Sequence, residues 1–127
     1  MSNLATFEEI ATRYEEGENP FDLTIEKWMR IRKSLKSAFD TSHFRKILQA
    51  TVVKVPFCLE THDNCAICPL QDICSRGEKG SFGKFVRAIQ AYCIAGDLLP
   101  SSPLLGLVDQ IISELEVRKR ESLKNLS

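Results

Sequence analysis

Thr24-Ile25-Glu26-Lys27-Trp28-Met29-Arg30-Ile31-Arg32-Lys33-Ser34-Leu35-Lys36-Ser37-Ala38-Phe39 is the stretch that decides the fold. Ile25, Trp28, Ile31, Leu35, Ala38 and Phe39 recur at steps of three and four, the spacing of one buried helical stripe. Lys27, Arg30, Lys33 and Lys36 fall on or beside the opposite face. The pattern predicts a helix that begins near Thr24, after Asn19-Pro20-Phe21, and ends around Asp40-Thr41-Ser42.

The same period extends in both directions. Upstream, Thr6 and Glu9 form a capping-box pattern before Phe7, Ile10 and Tyr14, and Gly17 stops the run. Downstream, Phe44, Ile47, Leu48, Thr51 and Val55 predict a third helix, closed by Pro56. Phe82, Phe85, Val86, Ile89, Tyr92 and Cys93 mark a fourth, running to Gly96. Ser102-Pro103 opens a fifth, with Ser as cap and Pro in the first turn, and Leu104, Val108, Ile111, Ile112 and Leu115 supply its buried face. Past Val117 the charged tail is expected to fray. With no period-two run, internal repeat or long Pro/Gly linker, the 127 residues read as an all-α chain. The expected architecture is one soluble five-helix bundle over residues 1–127, with a single irregular loop at residues 57–76.

Charge is balanced overall, 17 Lys and Arg against 17 Asp and Glu, but it is segregated along the chain. Residues 22–54 carry eight bases against three acids, whereas residues 55–75 carry three acids and no Lys or Arg. Neutrality argues against a surface that is basic all over, as in many nucleic-acid or anionic-lipid binders, and leaves local patches open. Lys27, Arg30, Lys33 and Lys36, joined by Arg45 and Lys46, are the candidate patch for nucleic acid or an acidic protein partner. Arg76, Lys79, Lys84 and Arg87 extend it if the fold brings them near. No apolar run is long enough to span a bilayer, and Met1-Ser2-Asn3-Leu4-Ala5-Thr6-Phe7-Glu8-Glu9 lacks the features of a secretory signal, so the expected location is the cytoplasm.

Five cysteines are many for such a chain, because a reducing compartment disfavours structural disulfides and points to metal or redox chemistry. Four of them fall in the acidic segment as Cys58-x6-Cys65-x2-Cys68-x5-Cys74. Four convergent thiolates suit a tetrahedral zinc ion or a 4Fe-4S cubane with one thiolate per iron. Structural zinc sites usually pair two short-spaced knuckles, and only one is present here. The asymmetric spacing fits the larger cubane, whose ligands come from a wider loop. With four cysteines available, His62 is not needed as a ligand, and His43 reads as a boundary residue of the third helix. Cys93, on an apolar stripe with Ile89 and Tyr92, reads as a small core residue.

The string Cys58-x6-Cys65-x2-Cys68-Pro69-Leu70-Gln71-x2-Cys74 resembles the iron-sulfur loop of the endonuclease III and adenine DNA glycosylase family, over about 17 of the 127 residues. The resemblance implies a 4Fe-4S cluster held by Cys58, Cys65, Cys68 and Cys74. It does not extend to activity. The family's chemistry requires a helix-hairpin-helix and a catalytic Asp ahead of the cluster, and neither the 57 residues before Cys58 nor Leu99-Pro100-Ser101-Ser102-Pro103 reproduces the hairpin. Leu59-Glu60-Thr61-His62-Asp63-Asn64 also puts two carboxylates where the family carries bases, which repel a phosphate backbone.

No residue is thereby assigned as catalytic, and a cluster with every iron on a thiolate has no site open to substrate. The expectation is a small non-enzymatic iron-sulfur protein. Its cluster is structural or redox-active, in sensing or electron transfer, alongside a macromolecular partner. The alternatives are a nucleic-acid-associated module with a glycosylase-type loop and a zinc-stapled interaction protein. Removing Cys65 or Cys68 is expected to disorder residues 57–80.

Overall fold

The computed structural model describes residues 4–38, 41–52, 81–95, 100 and 102–125, and side chains within them up to residue 121. The described residues form five helices and no strand: α1 (Phe7–Glu15), α2 (Pro20–Ser37), α3 (Thr41–Thr51), α4 (Ser81–Ala95) and α5 (Ser102–Asn125). The all-α expectation holds for these residues. The loop at residues 57–76, with Cys58, Cys65, Cys68, Cys74 and His62, lies outside them, as do Val55, Pro56, Arg76 and Lys79.

Local chemistry sets the helix ends. The Thr6 hydroxyl accepts from the Glu9 amide at 3.2 Å, which is half of the capping box. The Glu9 carboxylate does not complete it, because it is bound instead to Arg30 on α2. At the other end Gly17 takes φ 97°, and the amides of Gly17 and Glu18 donate to the carbonyls of Tyr14 and Arg13. This is the 5→2 and 6→1 pair of a Schellman stop, and only glycine adopts the left-handed backbone there without strain.

Helix α2 starts four residues before the predicted Thr24. Asn19 Oδ1 accepts from the amides of Phe21 at 2.8 Å and Asp22 at 3.2 Å, and Pro20 takes the first position, where its missing N–H costs nothing. The helix also stops short of Asp40, because Ala38 is extended, with ψ 134°. The α5 tail, expected to fray past Val117, is helical to Asn125, and an ion pair between Lys119 and Asp22 of α2 ties it down.

Four of the helices close a ring: α2 packs on α3, α3 on α4, α4 on α5, and α5 back on α2, with α1 laid against α2. Cross-helix contacts give the directions. Arg32 meets Asp109 while Asp22 meets Lys119, so α2 and α5 are antiparallel. Phe44, early in α3, stacks at 5.1 Å on Tyr92, late in α4. Lys27, early in α2, reaches Thr51, the last residue of α3. Ser81, first in α4, meets Glu114 in α5, while Tyr92 meets Pro100 just before α5. All four neighbouring pairs are therefore antiparallel, the order of an up-down-up-down bundle.

The core is one cluster with contributions from each ring helix, including Trp28, Ile31 and Leu35 of α2, Phe44 and Ile47 of α3, Phe85 and Ile89 of α4, and Leu104, Val108 and Ile111 of α5. Phe85 is fully buried, and truncating such a ring to Ala typically costs about 3–5 kcal/mol.

Helix α1 is held to α2 by charge. Arg13 grips the Glu18 carboxylate through two bonds of 2.6 and 2.7 Å and also bonds Glu26, while Arg30 bonds Glu9 at 2.7 and 2.9 Å and Glu26 at 3.0 Å. The hydrogen bond from Arg30, aided by the charges of Arg30 and Arg13, holds the Glu9 carboxyl below its ordinary range. The unfolded chain therefore takes up this proton first as pH falls. The stability contributed by the pair is complete above the ordinary glutamate range and is lost as pH drops towards the depressed native value. For a partly exposed pair it amounts to roughly 0.5–1 kcal/mol. Thermal melts of the native chain and Glu9→Gln are accordingly predicted to differ most near neutrality and to converge in acid. A difference between the two that stays constant with pH contradicts this assignment.

Candidate functional site

An up-down bundle needs only a short turn between neighbouring helices, roughly two to eight residues. The connections from α2 to α3 and from α4 to α5 obey this, spanning residues 38–40 and 96–101. The α3–α4 connection spans residues 52–80 and holds all four closely spaced cysteines. Because α3 and α4 are antiparallel, the last turn of α3 and the first turn of α4 lie at one end of the bundle, next to the first turns of α2.

The departing root is α3's last turn. Thr51 is fully buried, its hydroxyl donates to the Ile47 carbonyl at 2.8 Å, and its own carbonyl accepts from Lys27 Nζ at 2.7 Å. A cation bound to a terminal carbonyl satisfies one of the acceptors that every helix leaves unpaired at its C-terminus and complements the helix dipole there. The Lys27 ammonium also lies 5.4 Å from the centroid of the Trp28 ring, within cation–π range.

The returning root is α4's first turn. Ser81 is buried, and its hydroxyl donates to the Glu114 carboxylate, 2.9 Å from either oxygen, while Gln110 donates to the same group at 3.2 Å. Phe82 and Phe85 pack edge-on to Trp28 at 6.0 and 5.3 Å. Adjacent residues of α2 thus touch both roots, Lys27 the departing one and Trp28 the returning one.

This placement corrects the expected basic patch. Lys27 is only 3% exposed, not solvated. The sequence stripe led through Ile25, Trp28 and Ile31, but the face of α2 that meets its neighbours also takes in Thr24 and Lys27, each one residue ahead of a stripe position. Arg30 is half-buried and bound to Glu9 and Glu26. Lys33 and Lys36 on α2, Arg45 and Lys46 on α3, and Lys84 and Arg87 on α4 are exposed.

Arg45 is not grouped with α2 alone, since its charge acts on the Cys93 thiol of α4. Cys93 packs at the edge of the core, half-buried, and burial pushes its thiol up while Arg45 pulls the other way. His43 is half-buried in the first turn of α3. Ser81, Gln110 and Glu114 escaped the sequence reading, because their partnership exists only across the α4–α5 interface.

Among the described residues no three His, Cys, Asp or Glu side chains converge as a metal site, and no helix is long and apolar enough to cross a membrane. No protein family, no characterised protein and no solved structure matches the chain.

Charge reversal separates the two groups of α2 bases. Lys33→Glu and Lys36→Glu are expected to leave stability within about 0.5 kcal/mol of the native value, as for exposed positions without a buried partner. Arg30→Glu sets three carboxylates together and is expected to lower the thermal midpoint clearly. Equal effects from all three variants in a melting series would show that Arg30 is as solvated as its neighbours.

Proposed function

We propose that this chain is a small non-enzymatic iron-sulfur protein: a helical bundle that carries a 4Fe-4S cluster on Cys58, Cys65, Cys68 and Cys74. The observation that carries the reading is the surplus length of the α3–α4 connection. The topology asks for a short turn at that end of the bundle, and the chain instead devotes residues 52–80 to it, with four thiols at x6, x2 and x5 intervals. Connections longer than about 12–15 residues are usually functional or linker segments, and thiols of this number and spacing suit a metal centre.

The donor chemistry fits the cluster. Four thiolates supply one ligand to each iron of a cubane, and the single short-spaced pair suits it better than the paired knuckles of structural zinc. When bound, the cluster supplies a one-electron redox couple or a metal crosslink. Among the described residues, Lys27 holds the end of α3 and Ser81 the start of α4, the helix ends that flank the four cysteines in sequence. A cluster of this kind serves in sensing or electron transfer with a macromolecular partner, in the reducing cytoplasm where free thiols persist. The nucleic-acid alternative is weaker, because two of its six proposed contact residues, Lys27 and Arg30, are committed to internal partners.

Anaerobic purification with metal and sulfide analysis tests the reading. The expected product is brown, with about four irons and four sulfides per chain, and Cys68→Ser abolishes both. Trp28 is the only tryptophan, so its emission reports the same event: the visible absorption of a cluster quenches it, and chelation restores it. Far-ultraviolet circular dichroism of Cys68→Ser should keep most of its helical signal, since α2, α3, α4 and α5 share a core cluster of their own described residues, while the melting temperature falls. A colourless protein with one zinc and unquenched tryptophan overturns the proposal.

A further inference from the structure

We propose that the outer face shared by α3 and α4 is a docking surface for the phosphate backbone of a nucleic-acid duplex, with Arg45 and Arg87 at its centre and Lys46 and Lys84 on its flanks. The inference stands apart from the reading of the cysteines and needs no metal.

Charge is partitioned among the helices. Every carboxylate side chain within the five helices belongs to α1, α2 or α5, while α3 and α4 carry Arg45, Lys46, Lys84 and Arg87 and no Asp or Glu. These two helices are antiparallel neighbours in the ring. In α3 the core side is Phe44, Ile47 and Thr51, which leaves Ser42, Arg45 and Gln49 exposed on the opposite stripe. In α4 the core side is Phe85, Ile89 and Tyr92, which leaves Arg87, Gln90 and Ile94 exposed. Phe44 against Tyr92 sets the register, and Arg45 is near enough to Cys93 for its charge to act on the thiol. One turn further along α3 is one turn back along α4, so Gln49 and Arg87 share a level, about 6 Å along the bundle axis from Arg45.

Among the described residues no carboxylate pairs with Arg45, Lys46 or Lys84. The bases of α2 differ. Lys27 and Arg30 have internal partners, and Lys36 lies one turn beyond Arg32, on the side of α2 toward Asp109 of α5.

The make-up of the α3–α4 face selects its partner. A protein partner takes an apolar centre with aromatic anchors. Here the exposed large apolar residues, Val52 after α3 and Ile94 late in α4, lie at opposite ends, and Gln49, Arg87 and Gln90 occupy the middle. Phe44, Phe85 and Tyr92 are buried and Phe82 packs on Trp28, so these rings are not offered for stacking on the bases of a single strand. What remains is a set of cations with neutral hydrogen-bond donors between them, and guanidinium groups bind phosphate oxygens in bidentate fashion. Such a surface grips a duplex by its backbone, irrespective of sequence.

The test is fluorescence anisotropy of a labelled DNA duplex of mixed sequence, titrated with the full chain at several salt concentrations. Four phosphate contacts predict that the logarithm of the binding constant falls with the logarithm of salt at a slope of about −3.6. Arg45→Glu with Arg87→Glu is expected to weaken binding at least about tenfold near 0.1 M salt, whereas Lys33→Glu with Lys36→Glu, the same change in net charge on another face, stays within about twofold. Circular dichroism verifies that both pairs keep their helices, and Arg45→Gln with Arg87→Gln reproduces the loss without new carboxylates. Absence of salt-sensitive binding by the native chain, equal losses in the two Glu pairs, or tighter binding to a single strand or to polyglutamate of matched charge overturns the proposal.

Discussion

Antiparallel packing of α3 against α4 is the constraint on which the rest of the arrangement depends. Phe44 on Tyr92 at one end and the Thr51 and Ser81 roots at the other define the pair. With that direction set, the ring of four helices closes as an up-down bundle, and the helix ends that flank the four cysteines in sequence lie at a single end of it. The described helices supply Trp28, Leu35, Phe44, Phe85, Ile89, Leu104 and Leu115 to one core cluster. The described bundle is held by hydrophobic burial, with polar contacts at the end of α3 and the start of α4.

Of these two contacts the first is buried and the second is partly open to solvent. Lys27 places its ammonium on the Thr51 carbonyl and the Trp28 ring, and Ser81 gives its hydroxyl to Glu114. In its low-dielectric surroundings the Lys27–Thr51 bond is strong when made and costly when broken, which stiffens the end of α3. The other charged network, Arg13, Arg30, Glu9, Glu18 and Glu26, has a different character. It lies at the partly exposed α1–α2 seam, is open to screening by salt, and attaches α1 without specifying the core.

Much of this was legible in the residues. Ile31, Leu35, Phe44, Ile47, Phe85, Ile89, Val108 and Ile111 repeat at helical spacing and all proved buried, because burial of a stripe is what that spacing encodes. Gly17 announced the stop of α1 for a backbone reason of the same local kind. What failed were the features decided between helices. Lys27 reads as surface by type, yet it sits where α2 meets the end of α3 and finds a carbonyl there. Arg30 likewise reads as solvated until α1 brings Glu9 to it. The tail of α5 reads as fraying until Asp22 is placed beside Lys119. Asn19-Pro20 was readable as a cap and first position, and it was passed over for the apolar stripe that begins later. The cysteine spacing was the strongest chemical signal in the chain. The fold adds that the helix ends flanking it in sequence lie at one end of the bundle.

X-ray absorption at the metal edge of the anaerobically isolated protein tests the central claim most directly. The account predicts an iron edge, a first shell made of sulfur alone, and iron neighbours at cluster distance, all lost together in Cys68→Ser. A zinc edge with one four-coordinate ion and no metal neighbour, or an iron shell of nitrogen and oxygen, would contradict it.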